Sequence, residues 1–254
     1  MNETHSTGDN MNPYIPTQKP RCVLIDYRAS EEILNYLKKL NIEPIKSIKC
    51  NELHEPVDGH PDMVIFPIDF KTFVAAPNVY DYYRNVLGSL GIKVIKGGKT
   101  LSRNYPEDIA YNVARIGRYA LHNTKYTDQV LKYYLEEAGI QFIHVNQGYT
   151  KCSIAPVSDN KALTSDFLIH EKLISYNIDC MYIDPKVVYL KGYNNGFIGG
   201  CTGLINEKIF LSTGKIFDEN ISVSLREFIQ SSGYIYDEAS KQQITDLGTL
   251  IPII

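Results

Sequence analysis

Five times along this 254-residue chain a helix-like stretch ends in Gly or Asn and passes at once into a short apolar run. The stretches are LKKLNIEPIKSI, LGSLGIKVIKGG, LEEAGIQFIHV, LISYNIDCMYI and IQSSGYIYDEA. Their stop residues, Asn41, Gly91, Gly139, Asn177 and Gly233, lie 50, 48, 38 and 56 residues apart. Gly and Asn most readily take the left-handed conformation just past a helix C-terminus, so both residue types report the same local event. A device repeated at this period restricts the chain to architectures assembled from equivalent units.

The stretches before the stops carry helix starts. Ser30, Asn78, Thr127 and Ser165 are candidate N-caps, since each side chain accepts a bond from a first-turn N–H. Glu31, Glu32, Asp81, Asp128 and Asp166 place negative charge where the helix dipole favours it. Apolar residues then recur at helical spacing, as in Ile33, Leu34, Leu37 and Leu40, or Val130, Leu131, Tyr134, Leu135 and Ala138. The fifth helix, over 223–230, is shorter and its start is less marked. Strand-like runs fall at 22–27, 63–66, 72–75, 109–115, 154–157, 187–190, 209–211 and 250–253. One unit therefore reads as about ββαβ. Five such units closing into a ring account for the pattern better than a solenoid, because unit length varies and no polar caps are present. A two-layer α/β domain with ordinary alternation is the other architecture the pattern allows.

Composition sets the outer bounds. With 44% hydrophobic and 22% charged residues the chain is an ordinary globular protein, which excludes wholesale disorder and a coiled-coil rod. A net charge of −3 lacks the basic excess of a general nucleic-acid binder. No apolar run approaches the roughly 18–20 residues of a membrane span. Residues 1–20 are polar and Pro-containing, without the basic and apolar regions of a secretory signal. They are expected to form a disordered tail before a single domain over 21–254. The five cysteines include no C-x-x-C pair, which points away from a zinc ribbon or redox pair and toward a reducing cytoplasm. No cofactor is expected, and the oligomeric state is open.

Several segments resemble, in order, the motifs of the penteins, the α/β-propeller superfamily of guanidino-group-modifying enzymes. Pro61-Asp62-Met63-Val64-Ile65-Phe66-Pro67-Ile68-Asp69 resembles the dimethylargininase-type segment P-D-x-V-F-x-x-D, with one extra residue before Phe66. Glu107-Asp108-Ile109-Ala110 with Gly117-Arg118-Tyr119 resembles the second unit's G-G-D-V segment and return strand. Cys152-Ser153-Ile154-Ala155 resembles C-S-M-A of the third unit, and Asp246 to Leu250 stands where the last unit carries G-x-L-T-C. The whole string is also similar to an uncharacterised clostridial-type family described as having this fold. The resemblance covers nearly all of 21–254 and implies a five-bladed α/β propeller.

Penteins use a Cys thiolate as nucleophile, a His as acid/base, and two carboxylates that hold the guanidinium by charge-assisted hydrogen bonds. On the resemblance the nucleophile's position falls near Thr249, and no Cys follows Cys201. The His position falls on Gln147 or Tyr149, neither of which replaces an imidazole. The carboxylates that remain are Asp69 or Asp62, and Asp108. The resemblance thus implies a cation-binding pocket, with Asp62, Asp69, Asp108, Gln147 and Tyr149 as candidate ligand-binding residues.

His54-Glu55-Pro56-Val57-Asp58-Gly59-His60-Pro61-Asp62 gathers metal-ligating types, but in no motif spacing, and reads first as a polar turn. The Gly196–Gly203 run lacks the following helix of a phosphate loop. It reads as a turn between strands, or as backbone brought close to a ligand, which would make Cys201 an alternative nucleophile. Cys152, eight residues after His144 and next to Lys151, reads as a buried thiol or a second alternative nucleophile. Tyr105, Tyr149 and Tyr193 fall in loop-like stretches, where aromatic faces beside carboxylates suit a cation.

Three functions are compatible with these residues. The first is a divergent pentein that binds a small cationic, guanidino-like ligand without the usual Cys/His pair. The second is an amidinohydrolase or amidinotransferase with a relocated nucleophile at Cys201 or Cys152. The third is a scaffold without a small-molecule site.

Overall fold

A computed structural model of the chain describes residues 11–254. Five three-stranded sheets follow one another along it. The first holds β1 (Cys22–Ile25), helix α1 (Glu31–Lys39) and β2 (Glu43–Lys46). The second begins with the helical turn α2 (Pro61–Val64) and continues through β3 (Ile65–Pro67), β4 (Thr72–Ala75), α3 (Tyr80–Gly88) and β5 (Lys93–Lys96). The third comprises β6 (Ala114–Ile116), β7 (Tyr119–His122), α4 (Gln129–Glu137) and β8 (Gln141–His144). The fourth runs from the turn α5 (Thr150–Ser153) through β9 (Ile154–Ser158), β10 (Lys161–Thr164), α6 (Phe167–Ser175) and β11 (Asp179–Tyr182). The fifth contains β12 (Thr202–Leu204), β13 (Ile209–Ser212), α7 (Glu219–Gln230) and β14 (Ile235–Glu238).

The last strand, β15 (Ile251–Ile253), pairs antiparallel with β1, setting Cys22 opposite Ile253 and Leu24 opposite Ile251. It supplies the first unit's missing strand and closes the ring. In every unit the middle strand pairs antiparallel with the inner strand, which is β15 for the first unit and the preceding strand for the others, and parallel with the strand after the helix. The result is the five-unit ββαβ propeller, not a two-layer sheet. β6 packs on β9, β9 on β12 and β12 on β15 across unit boundaries, so the first strands form the inner wall. β3, β6 and β15 are buried at every residue. Each last strand begins with an exposed residue, as β5 does at Lys93.

All five stop residues hold positive φ: 54° at Asn41, 83° at Gly91, 73° at Gly139, 58° at Asn177 and 84° at Gly233. Each helix buries the residues its spacing assigns inward, such as Ile33, Leu34 and Leu37 on α1 or Leu131 and Leu135 on α4. Each such side chain contributes about 1.5–3 kcal/mol by leaving water.

Local departures from the sequence reading have identifiable causes. Ser30 caps α1, but Asp128 and Asp166 cap α4 and α6 in place of Thr127 and Ser165. The Thr127 hydroxyl is engaged by His122, and Ser165 Oγ accepts from the Ile198 N–H. Asn78 does not cap α3; its amide brackets the backbone of Leu101 from both sides. The fifth helix starts earlier than expected, capped by Asp218. The strand expected at 63–66 begins with α2, that at 109–115 shrinks to β6, and 187–190 contributes only a bridge from Tyr189 to Thr245.

The tail expected over 1–20 needs correction at its end. Residues 1–10 lie outside the described residues. Over 12–16 the chain packs on the ring, with Tyr14 only 3% exposed and edge-on to Phe66, and the Asn12 amide donating to the Arg115 carbonyl. Among the described residues no helix is long and apolar enough to cross a membrane.

Candidate functional site at the ring axis

Two or three residues ahead of each inner strand the chain turns into the ring centre. These positions are Asp62, Asn112, Lys151 with Cys152, Gly199 with Gly200, and Gly248 with Thr249. They bond from unit to unit around the axis. The Asn112 amide donates to the Asp62 carbonyl at 3.2 Å and to Cys152 Sγ at 3.1 Å. Asn112 Oδ1 accepts from the N–H groups of Lys151 and Cys152. Lys151 Nζ donates to the Gly199 carbonyl at 3.3 Å and to Thr249 Oγ1 at 2.7 Å. The Thr249 N–H donates to the Gly200 carbonyl, and the Asp62 N–H to that of Gly248. This polar hub makes the floor of the site.

Above it lies a cavity of ≈ 460 Å³ fed by all five connections between units. The connection after β2 contributes His54, Val57 and His60, that after β5 contributes Asp108, and that after β8 contributes Gln147, Tyr149 and Cys152. Leu190, Tyr193, Asn194, Asn195 and Phe197 come from the fourth connection, and Asp246 from the fifth. None of these lining residues is Lys or Arg.

Burial dominates the electrostatics. The Tyr149 hydroxyl donates to Asp108 Oδ2 at 2.6 Å, yet the carboxyl stands above its ordinary range because burial outweighs that bond. Asp108 Oδ1 is buried without a hydrogen-bond partner. Asp246 accepts from the N–H groups of Phe197 and Gly248, and burial pushes its carboxyl up as well. On the floor, burial pushes Asp62 up to about 6 although Lys151 and Cys152 act the other way. The Lys151 ammonium is pulled down by burial, and His60 likewise. The Cys152 thiol donates to Asp62 Oδ2 at 3.2 Å and is pushed well up, first by burial and then by the charge of Asp62.

The expected site residues separate into two groups. Asp108, Gln147, Tyr149 and Cys152 line one cavity, with Asp62 beneath it bonded to Cys152. Asp69 is elsewhere: it sits in the turn joining β3 to β4, where Oδ1 accepts from the Lys71 N–H. The helical turn α2 takes Asp62 inward and leaves Asp69 at the opposite end of the strand. Cys201 is fully buried and is not among the residues lining this cavity; its thiol is spent on the carbonyls of Phe197 and Ile198. Gln147 acts first on structure, with its amide on Asp166 and its oxygen accepting from the N–H groups of Gly148 and Tyr149.

The segment around His60 is more than a polar turn. Asp58 is a structural acid facing Arg28 and Lys49. His60, 1% exposed, stands between Asp246 (Nδ1 to Oδ1, 3.7 Å) and Asp26 (Nε2 to Oδ2, 3.9 Å). The glycine run also has a structural explanation, since a Cβ on Gly200 would occupy the place of the Asp246 carboxylate. The sequence places His60 in a polar turn, Lys151 only beside Cys152 and Asp246 only in the last unit's motif, and it gives Asn112 no role.

Solved structures with the same fold include amidinotransferases and an agmatine deiminase. A C. jejuni agmatine deiminase aligns over 97% of this chain and 97% of its own, at 10% identity and TM-score 0.57. SxtG, an amidinotransferase from Microseira wollei in the saxitoxin biosynthetic pathway, aligns over 91% and 92%, at 13% identity and TM-score 0.55. The inosamine-phosphate amidinotransferase StrB1 from Streptomyces griseus aligns over 94% and 95%, at 10% identity and TM-score 0.53. At such identities the likeness establishes the fold alone. No curated protein matches by sequence. A family model does match, over residues 24–251, and the chain therefore belongs to the family of unknown function DUF6873, here on the pentein fold.

Proposed function

We propose that the axial cavity binds a small cationic ligand of the guanidino class. The observation that carries this reading is that two buried carboxylates, Asp108 and Asp246, line a cavity whose walls hold no Lys or Arg. A buried carboxylate held above its ordinary range is relieved by a cation, which supplies the partner that water no longer does. Planar N–H donors match carboxylate geometry, and the faces of Tyr149, Tyr193 and Phe197 suit a delocalised cation. In this reading the binding half of a pentein site is kept, while Thr249 and Gln147 or Tyr149 stand where the resemblance places nucleophile and imidazole.

Thermal denaturation with agmatine and arginine tests it. A ligand at about 100 times its Kd stabilises the folded state by about 2.7 kcal/mol, or roughly 5–10 °C for a chain of this size. The shift is expected with guanidinium compounds, absent with uncharged ureas, and lost in Asp108→Asn. No shift with any guanidinium compound, or an equal shift in Asp108→Asn, refutes the reading.

A second reading, a hydrolase or transferase using Cys152, is favoured by one observation: Cys152 lines the cavity beside His60 and Asp62. Burial, and then the charge of Asp62, push its thiol well up, so activation requires a bound cation to draw it down. Iodoacetamide labelling of Cys152 that accelerates with agmatine supports this reading. Unchanged labelling, with no new amine or urea product, removes it.

A further inference from the structure

We infer that His60, Asp62 and Cys152 form a binding site for a divalent cation of the zinc class, with one coordination position open to the axial cavity. One ligand atom from each of the three lies within 4.8 Å of the others. All three side chains are buried, at 1%, 1% and 3% exposure. Imidazole, carboxylate and thiolate together are the donor set of zinc and its neighbours rather than of calcium or magnesium.

A second observation is independent of that proximity. Both ring nitrogens of His60 and Oδ1 of Asp62 are buried without a hydrogen-bond partner. Nearly all buried polar atoms in folded proteins find one. The two carboxylates flanking His60 are otherwise engaged: Asp26 is held by the guanidinium of Arg28 at 2.6 and 2.9 Å, and Asp246 by two backbone N–H groups. Unpartnered acceptors on two adjacent side chains, facing a thiol, form a cradle for a cation.

The geometry needs little adjustment. Bonds of about 2.0–2.3 Å in a tetrahedral site set ligand atoms about 3.3–3.6 Å apart. Cys152 Sγ and Asp62 Oδ2 are already 3.2 Å apart, and the imidazole, within 4.8 Å of both partners, has at most about 1.5 Å to close. His60 sits in the turn leading into α2, and its side chain lines the cavity together with Cys152. The metal replaces the proton of the Cys152 thiol, which leaves to solvent, and a neutral imidazole with two anionic ligands balances its charge. Three protein ligands with the fourth position facing a cavity is the arrangement of a reactive rather than a structural zinc site. The inference does not depend on the guanidino reading, whose carboxylates are Asp108 and Asp246.

Cobalt(II) added to the full-length, EDTA-stripped and reduced protein tests the site. One equivalent is expected to produce a thiolate-to-cobalt charge-transfer band and to release a proton, and Zn²⁺ is expected to abolish the band. Cys152→Ser is expected to lose the band. His60→Gln is expected to weaken binding by more than the roughly 10–100-fold typical of losing an outer-shell partner. Cys50→Ser and Asp108→Asn are expected to leave the band unchanged, and Asp108→Asn separates this result from the guanidino reading. Folded protein without a band, or a band retained in Cys152→Ser, overturns the inference. Should Cys152→Ser fail to fold, Zn²⁺ protection of Cys152 against iodoacetamide in the unsubstituted protein decides, and unprotected Cys152 overturns it.

Discussion

Acid should loosen the wall of the cavity through one buried histidine. His122, at the end of β7, is fully buried, with Nδ1 2.7 Å from Thr127 Oγ1 and Nε2 3.0 Å from the Gly148 carbonyl. Gly148 lies between Gln147 and Tyr149, so this bond anchors the segment that presents both residues to the cavity. The carbonyl only accepts, so Nε2 carries the proton and Nδ1 accepts from Thr127. Protonation would turn Nδ1 into a second donor and bury a charge. Burial pulls His122 down to about 4, and the charges of Lys99 and His144 act in the same direction.

The sign follows from linkage. An unfolded histidine titrates near pH 6.5, so below that pH the unfolded chain binds a proton that the folded chain refuses. The stability contributed by neutral His122 is complete above about pH 6.5 and is lost as pH falls toward the folded value of about 4. Between pH 7.5 and pH 4 the loss amounts to about 3 kcal/mol. His122→Gln keeps a donor for Gly148 but cannot titrate. At pH 7.5 it should cost about 1–3 kcal/mol, because the Thr127 hydroxyl loses its acceptor. At pH 4 the gap should close or reverse, since only the unsubstituted protein has lost the linked energy. Urea unfolding followed by far-ultraviolet circular dichroism suits a chain with no Trp. A gap of equal size at both pH values refutes the reasoning, and with it the tautomer assigned here.

Three further outcomes are expected. Gly91→Ala and Gly233→Ala should each cost about 1–2 kcal/mol in urea unfolding, because open space surrounds both positions and only the positive φ resists. Gly200→Ala should cost more than either and depress agmatine binding, because its Cβ takes the place of the Asp246 carboxylate. Deleting 250–254 removes the β15 pairing and the buried side chains of Leu250, Ile251 and Ile253. At about 1.5–3 kcal/mol each these rival a typical total stability of about 5–15 kcal/mol, so calorimetry should show no cooperative transition.

The ring was legible because its signal is local. A helix stop needs only one residue tolerant of positive φ, and no distant contact can supply that tolerance in its place. Cap positions were less legible, and the errors at Thr127 and Ser165 share a cause. Both hydroxyls were the right type in the right place, but partners brought by tertiary structure, His122 and the Ile198 N–H, took them, and the next aspartate capped instead. Asp69 was misplaced for a related reason. Motif spacing treats 61–69 as extended, whereas α2 absorbs four residues and turns Asp62 toward the axis. His60 was hidden by composition: its segment reads as a polar turn, and its burial comes from Asp26 and Asp246, which belong to other parts of the ring.

Pseudo-symmetry explains why so much chemistry collects at one point. Each unit delivers a residue to the same place ahead of its inner strand, and the five deliveries differ: an acid, an amide, a lysine with a thiol, a pair of glycines, and a glycine with a threonine. The same arrangement makes the floor dependent on closure. Asp62 bonds to Gly248 and Lys151 to Thr249, and both partners precede β15, the strand that completes the first sheet. Thr249 itself holds φ at 73°, which costs a β-branched residue energy that only a closed ring supplies. Loss of the β15 pairing should therefore abolish ligand and metal binding even in a fragment that retains its helices.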